Sequence, residues 1–302
     1  MLSENNKKII NARLLSQYED MFRCPICSTS VEVVNLSSLI CSNHHCFDLS
    51  KQGYVNLLTH SVKTKYDKKL FESRKMINES GFFDPLINRI CENIMLDLEP
   101  VSKPIKILDV GCGEGSHLSA IQQRVVEQSQ CNLLGAGIDI SKEGIIIASR
   151  SFSNLIWCVV DLSHCPFTDK QFNFILNILS PSNYAEFHRM LKDDGMVMKV
   201  IPGSKYLQEL RGIFYKQTDR SVHSNESSIA LFKRNFDLVD IQGVQYSATM
   251  DNKQIEQMVR MTPLSWGVSE ENVQQVLGKT KLEITFDFLV LLGKKMNAHR
   301  TN

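Results

Sequence analysis

The sequence predicts a doubly wound α/β fold that carries a small metal-stapled module near its N-terminus. Three observations predict it. After Pro104, short apolar runs of β type alternate with helical stretches, as in a parallel sheet covered by helices on both faces. The first run leads straight into a glycine-rich turn, Gly111-Cys112-Gly113-Glu114-Gly115. Upstream, Cys24, Cys27, Cys41 and Cys46 crowd into one short polar segment.

Taken in order, residues 1–21 read as a polar extension of helical character, without the apolar core of a signal peptide. Residues 22–62 are rich in Cys, His, Asn and Ser, with short β-type runs (VEVV, SLIC), and are too few to bury a core without a staple. Residues 63–103 turn helical, with Leu70, Phe71, Ile77, Leu86, Ile90 and Ile94 at mixed three- and four-residue spacings, before Pro100 and Pro104 punctuate the chain. Residues 104–302 hold the sheet. Runs at 105–110, 133–138, 156–160, 172–178 and 196–201 are expected parallel. Two more, 236–246 and 283–295, follow, one of them antiparallel at or near an edge.

A hydrophobic share of 43% with 22% charge is that of a soluble globular chain, and no apolar run approaches the roughly 20 residues that span a bilayer. A cytoplasmic protein without membrane partners is the expectation. In a reducing compartment a tight cysteine cluster points to metal rather than to disulfides, while Cys91, Cys112, Cys131, Cys158 and Cys165 read as small buried hydrophobes. The net charge of +1 gives the whole molecule no strong field, so any polyanion contact falls to a local patch. The candidate is the run 63–75, where Lys63, Lys65, Lys68, Lys69, Arg74 and Lys75 face only Asp67 and Glu72.

The glycine turn carries the chemistry. A dinucleotide fingerprint is G-x-G-x-x-G, with the third glycine opening a helix over a pyrophosphate. Here the glycines stand at 111, 113 and 115, Ser116 holds the next position, Asp109 closes the strand, and no lysine follows to serve a triphosphate. Asp139 ends the second strand, where a carboxylate can accept both hydroxyls of a ribose. Asp161 follows the third, where an adenine amino group would lie. Either acid also suits a helix N-cap. The whole resembles class I methyltransferases, whose cofactor, S-adenosylmethionine, has an amino-acid end and a sulfonium but no phosphate. Asp109, Gly111, Gly113, Glu114, Gly115, Ser116, Asp139 and Asp161 are therefore candidate cofactor-binding residues.

Cys24-Pro25-Ile26-Cys27, then thirteen residues, then Cys41-Ser42-Asn43-His44-His45-Cys46 has the layout of a tetrahedral structural zinc site. The fourth ligand is open among His44, His45 and Cys46, with softness favouring Cys46. Four protein ligands fill the shell, so no metal catalysis is expected.

With both features in hand, the chain is similar to the large-subunit ribosomal RNA guanine-N1 methyltransferases, the RlmA group that includes macrolide-resistance enzymes. The likeness runs from about Phe22 to the last strand. It rests on F-x-C-P-x-C, I-C-x-x-x-H-x-F-D (Ile40 to Asp48), K-x-G-Y-V-N-L-L (Lys51 to Leu58), S-R-K-x-x-x-x-x-G-F-F-x-P-L (Ser73 to Leu86), L-D-V-G-C-G-E-G and M-T-P-L-S-W (Met261 to Trp266). The resemblance implies Cys24, Cys27, Cys41 and His45 as zinc ligands, leaving Cys46 as a neighbour. It also implies cofactor contacts at Gly115, Ser116, Phe83 and Tyr206, in a chain that methylates N1 of a guanine in a large-subunit rRNA hairpin. Relatives can carry Tyr at the position of Phe83 and His at that of Tyr206, and an aromatic and a Cys near the Pro of the loop that here reads Ile178-Leu179-Ser180-Pro181-Ser182.

That loop, Leu179 to Tyr184, is expected to face the target base, because ligands bind beyond the carboxyl ends of the strands in open α/β sheets. No general base is named; His188 reads as a surface or core histidine. The zinc module and the basic run are expected to meet RNA, with Tyr54 and Tyr66 available for base stacking. Met258 and Met261 read as core, and Trp266 either packs or lines the cleft. A homodimer is compatible with the sequence. Two other functions share such a cofactor domain. A small-molecule (quinone- or sterol-type) methyltransferase has no need of the zinc module, and a non-enzymatic RNA-binding protein has no need of the intact glycine turn.

Overall fold

The computed structural model describes residues 4–62, 64–98, 104–215 and 225–296, without side-chain detail for residues 4–6. Lys63 and Pro100 lie outside the described residues. Helix α1 (Glu4–Gln17) and a 3-10 turn (Glu19–Met21) precede a small antiparallel sheet of β1 (Val31–Val34), β2 (Ser38–Cys41) and β3 (Cys46–Asp48). Strand β4 (Val55–Asn56) follows, then helices α2 (Lys68–Glu79) and α3 (Asp84–Leu96). The helical pattern of the linker thus divides in two. Gly81 takes φ +78° and Pro85 stands in the first turn of α3, a left-handed exit followed by a proline-primed start.

The main sheet begins with β5 (Ile105–Val110), α4 (Ser116–Ser129), β6 (Leu133–Asp139), α5 (Lys142–Ser151), β7 (Ile156–Val159) and β8 (Phe172–Ile178). It continues with α6 (Tyr184–Met190), β9 (Leu191–Pro202), α7 (Gln208–Phe214), α8 (Glu226–Asn235), β10 (Asp237–Asp251), α9 (Asn252–Met261), α10 (Glu270–Leu277) and β11 (Lys281–Lys294). The order across it is β10-β11-β9-β8-β5-β6-β7-β4. The five expected strands are parallel, and β11 runs antiparallel to both neighbours, one place in from the edge strand β10. The order of winding reverses at β5, between β6 and β8, and the carboxyl end of β5 is where open α/β sheets place their ligands.

Period-two alternation sends side chains to two cores. Ile107, Phe174, Leu176 and Met198 pack on one face of the sheet with α3, α4 and α9. Leu108, Val110, Ile175 and Val197 pack on the other, against α6, α8 and the N-terminal module. The module is joined to the sheet more closely than its sequence suggested. Val55 and Asn56 pair in parallel with Cys158 and Val159, and the Leu57 amide donates to the Val159 carbonyl at 2.9 Å. Phe22 meets Phe167 at 5.0 Å between ring centroids, and the amides of Arg23 and Thr168 donate to Pro166 and Met21. Helix α1 buries Ala12 and Leu15 in that same core, so the polar extension is one wall of it.

Leu15→Ala should therefore destabilise the whole chain by about 2–5 kcal/mol in urea unfolding, in one transition, as a large-to-small core substitution does. A loss under about 0.5 kcal/mol would show that α1 is dispensable.

Candidate cofactor cleft and metal centre

The turn between β5 and α4 is built where side chains have no room. Gly115 caps α4 at φ +85°, and a Cβ there would lie 2.5 Å from the Trp157 ring. Gly111, at φ +74°, would press a Cβ against Ser180 at 2.6 Å. Only glycine meets both demands, a left-handed backbone and a filled neighbourhood. The turn's glycines are therefore set by close packing against Trp157 and Ser180.

Three carboxylates surround that backbone. Asp109 is 2% exposed and its Oδ1 has no hydrogen-bond partner; burial first, then the charges of Asp139 and Glu114, push its carboxyl up to about 8. Asp139 accepts from the Gly113 amide at 2.9 Å and from the Ser141 amide at 2.7 Å, and burial raises it as well. Buried Glu114 accepts from Asn78 at 2.7 Å and from the Ser116 hydroxyl at 2.6 Å. None of the three makes an ion pair among the described residues. Such a cradle suits a cationic ligand and repels a pyrophosphate. The sulfonium and ammonium of S-adenosylmethionine meet that requirement, and the orphaned Asp109 oxygen is the atom a cation would satisfy. Asp161 stands apart from this group. It caps a 3-10 turn through the Ser163 amide at 2.8 Å and has His60 of the N-terminal module 3.8 Å away.

An aromatic group is linked to these acids through His117 and Asn78. Phe83 is buried against His117, Phe286 and Phe288, with centroid distances of 5.0, 5.7 and 5.8 Å. Tyr206 meets the same Phe288 at 5.2 Å, and burial pushes its phenol up to about 12. Phe83 and Tyr206, 123 positions apart in sequence, thus share one neighbour. Asn78 makes that link with its Oδ1 3.0 Å from His117 Nε2; burial, then the nearby Arg74, lowers that imidazole to about 4.

The loop after β8 closes over the glycine turn. Ser180 Oγ donates to the Val110 carbonyl at 2.7 Å, and Leu179 holds φ +52°, a left-handed conformation that costs a non-glycine residue on the order of 1–3 kcal/mol. Two residues absent from the expected site stand here. Asn177 and Lys199 are register partners on β8 and β9, and both are buried. A lone lysine inside the apolar run MVMKVI was the available signal. Arg74, read as part of the basic run, instead lies 5.3 Å from the Tyr66 ring centroid and 5.6 Å from that of Phe71, close enough for Asp139, His117 and Tyr206 to feel its charge.

Other expectations sort by burial. Tyr54 is 6% exposed, so it is closed to RNA, a correction: its ring belongs to the core on the α3–α4 face of the sheet. Tyr66 stays half-buried and meets Trp266, which is 39% exposed, at 5.5 Å. Met258 and Met261 are core, and His188 stacks on Phe236 at 4.2 Å.

In the N-terminal module the ligand atoms of Cys24, Cys27, Cys41 and His45 lie within 4.8 Å of one another. Cys27 Sγ and Cys41 Sγ are 3.7 Å apart, and His45 Nδ1 is 3.5 Å from Cys24 Sγ and 3.4 Å from Cys41 Sγ. A tetrahedron with metal–sulfur bonds of about 2.3 Å has edges near 3.8 Å, so this donor set fits zinc with no further ligand. Cys46 is exposed, with its Sγ 3.8 Å from Asp48 Oδ1, and stands outside this group. The amides of Ile26 and His45 point at Cys24 and Cys41 sulfurs at 3.4 and 3.3 Å and would spread thiolate charge. Purified protein should contain about one zinc per chain, and Cys24→Ala should abolish it by elemental analysis; because β4 belongs to the main sheet, chelation should also lower the melting temperature of the whole chain.

Comparison with known proteins agrees with this geometry. The N-terminal domain of RlmA, a zinc ribbon, matches residues 22–66, and a methyltransferase domain matches residues 107–195. A Bacillus subtilis (strain 168) protein, YxjB, provisionally named a 23S rRNA (guanine-N(1)-)-methyltransferase, is 44% identical over 279 residues, which cover 91% of this chain and 97% of that one. A Streptomyces fradiae 23S rRNA (guanine(748)-N(1))-methyltransferase is 28% identical over 246 residues, covering 81% of this chain and 85% of its own. With ribbon, cofactor turn and near full-length likeness together, the chain belongs to the RlmA-type family of 23S rRNA (guanine-N1)-methyltransferases.

Proposed function

We propose that this chain transfers a methyl group from S-adenosylmethionine to N1 of a guanine in a large-subunit rRNA hairpin. The observation that carries the reading is a cation-seeking cradle of Asp109, Glu114 and Asp139 directly beneath the Ser180 loop, in a chain of this family. When bound, the cofactor supplies an electrophilic methyl group on sulfur. Asp109 and the turn Gly111, Gly113, Glu114, Gly115 and Ser116 hold its amino-acid end, Asp139 its ribose and Asp161 its adenine. Phe83 and Tyr206 wall the cleft and keep water from it. Phe83 serves by packing alone, since it has no hydroxyl to donate. Cys24, Cys27, Cys41 and His45 hold a structural zinc.

Methyl transfer needs donor and nucleophile in line, so the main task of the Leu179–Ser182 loop is to orient the base. An unpaired loop guanine enters at less cost than one from a duplex. RNA contact is assigned to the zinc ribbon and to the start of α2. There Lys68 and Lys75 pair with Glu72 and Glu79, whereas Lys65 and Lys69 have no carboxylate in ion-pair reach among the described residues.

In a strain lacking the gene, mass mapping of 23S rRNA should show one N1-methylguanine lost, restored by the wild-type gene and not by Asp109→Ala. Retention of every methylated guanine would sink the reading. Cofactor affinity should also rise with pH up to about 8. Asp109 must lose its proton to pair with an ammonium, and that proton is held below about 8 by burial. Calorimetry from pH 6 to 9 checks this, and Asp109→Asn should weaken binding and flatten the profile.

A further inference from the structure

Lys199 is an unusual residue for the interior of a sheet. It sits on β9, 8% exposed, with no carboxylate in ion-pair reach among the described residues. Its Nζ donates to Asn177 Oδ1 and to Ser182 Oγ, both at 2.6 Å, and approaches the Ser180 carbonyl at 3.5 Å. Asn177 extends the network. Its Nδ2 donates to Ser180 Oγ at 2.6 Å and to the Pro181 carbonyl at 2.9 Å, while its Oδ1 also accepts from Ser182 Oγ at 2.8 Å. Every residue from Ser180 to Ser182 is therefore tied to one of these two side chains.

Those ties hold a loop that would otherwise relax. Leu179 keeps its left-handed backbone and stays 38% exposed, although a leucine gains nothing from either. Strained residues persist where surrounding structure over-determines them, and they gather at functional sites. A buried cation without a counter-charge is costly for the same fold, and a buried lysine is not needed to fill space between strands. Burial lowers Lys199 to about 8, so the ammonium form still prevails at neutral pH.

We infer that Lys199 is a positioning residue for methyl transfer: through Asn177 and Ser182 its ammonium fixes the strained Leu179–Ser182 loop against the glycine turn, and its unbalanced charge lies beneath the floor on which the guanine rests. The inference rests on the rRNA reading above. In that reaction the N1 lone pair forms the bond to the methyl carbon, the carbon–sulfur pair returns to sulfur, and the N1 proton leaves to solvent. As that proton departs, negative charge spreads over N1 and O6, and a fixed cation close by favours it. Lys199 itself gives up and takes no proton.

Single-turnover methylation of a 23S rRNA transcript, with calorimetric cofactor binding, tests the proposal. Lys199→Met should lower the rate about a hundredfold, the scale set by a misplacement of about 1 Å, with cofactor Kd and transcript KM within about twofold of wild type. Lys199→Arg should recover a substantial part of the rate. An unchanged rate in Lys199→Met, or equal loss in both variants, overturns the proposal. Should Lys199→Met fail to fold, Ser182→Ala keeps the cation and cuts its tie to the loop; a lower rate at constant KM supports the role, and an unchanged rate overturns it. A wild-type protein that methylates no guanine removes the rRNA reading and this proposal with it, whereas wild-type activity that survives Lys199→Met removes the proposal alone.

Discussion

The constraint on which the rest of the molecule depends is the removal of three carboxyl groups from water, with their mutual repulsion added at Asp109. Asp109, Glu114 and Asp139 converge at the ends of β5 and β6 with backbone amides, Asn78 and Ser116 as partners and no ion pair among the described residues. Burial alone would drive such groups to hold protons, and Asp109 does so up to about 8. Asp109 Oδ1 is left without a hydrogen-bond partner, and a cation is the group that would draw its proton off. Arg74, whose charge reaches Asp139, relieves the repulsion only partly, because its guanidinium is held over the Tyr66 and Phe71 rings.

The zinc ribbon is a structural part of this arrangement. Its last strand is the edge of the main sheet, its His60 faces Asp161, and its Phe22 and Met21 fill the core beneath β8. A small segment stapled by a metal borrows stability from a large sheet and returns a cover for one face of it. The consequence is that the ribbon is tied to the sheet by strand pairing, backbone hydrogen bonds and ring contacts.

Beyond the acids, contacts between distant segments build an aromatic group. Phe83 before α3, Tyr206 after β9 and Phe288 on β11 form one aromatic group, and Tyr246 adds its ring to Phe286 at 5.2 Å. The loop over the glycine turn is clasped from below by Asn177 and Lys199. An aromatic group and a polar, strained loop are thus both placed near the carboxyl end of β5.

What the sequence determined by itself was local. Strand runs, the 111-113-115 glycine spacing and the C-P-I-C knuckle are patterns within a dozen residues, and each specifies a backbone shape whatever surrounds it. Tertiary structure decided the rest. It gathered His45 with the three cysteines and left Cys46 exposed, with the turn at His44 (φ +62°) between His45 and Cys41. It closed Tyr54 to solvent, carried Arg74 from an apparent basic run to the cofactor turn, and set Lys199 against Asn177 across two strands. Those outcomes depend on distances between residues far apart in the chain. Packing of apolar faces fixes such distances only once the whole sheet has formed.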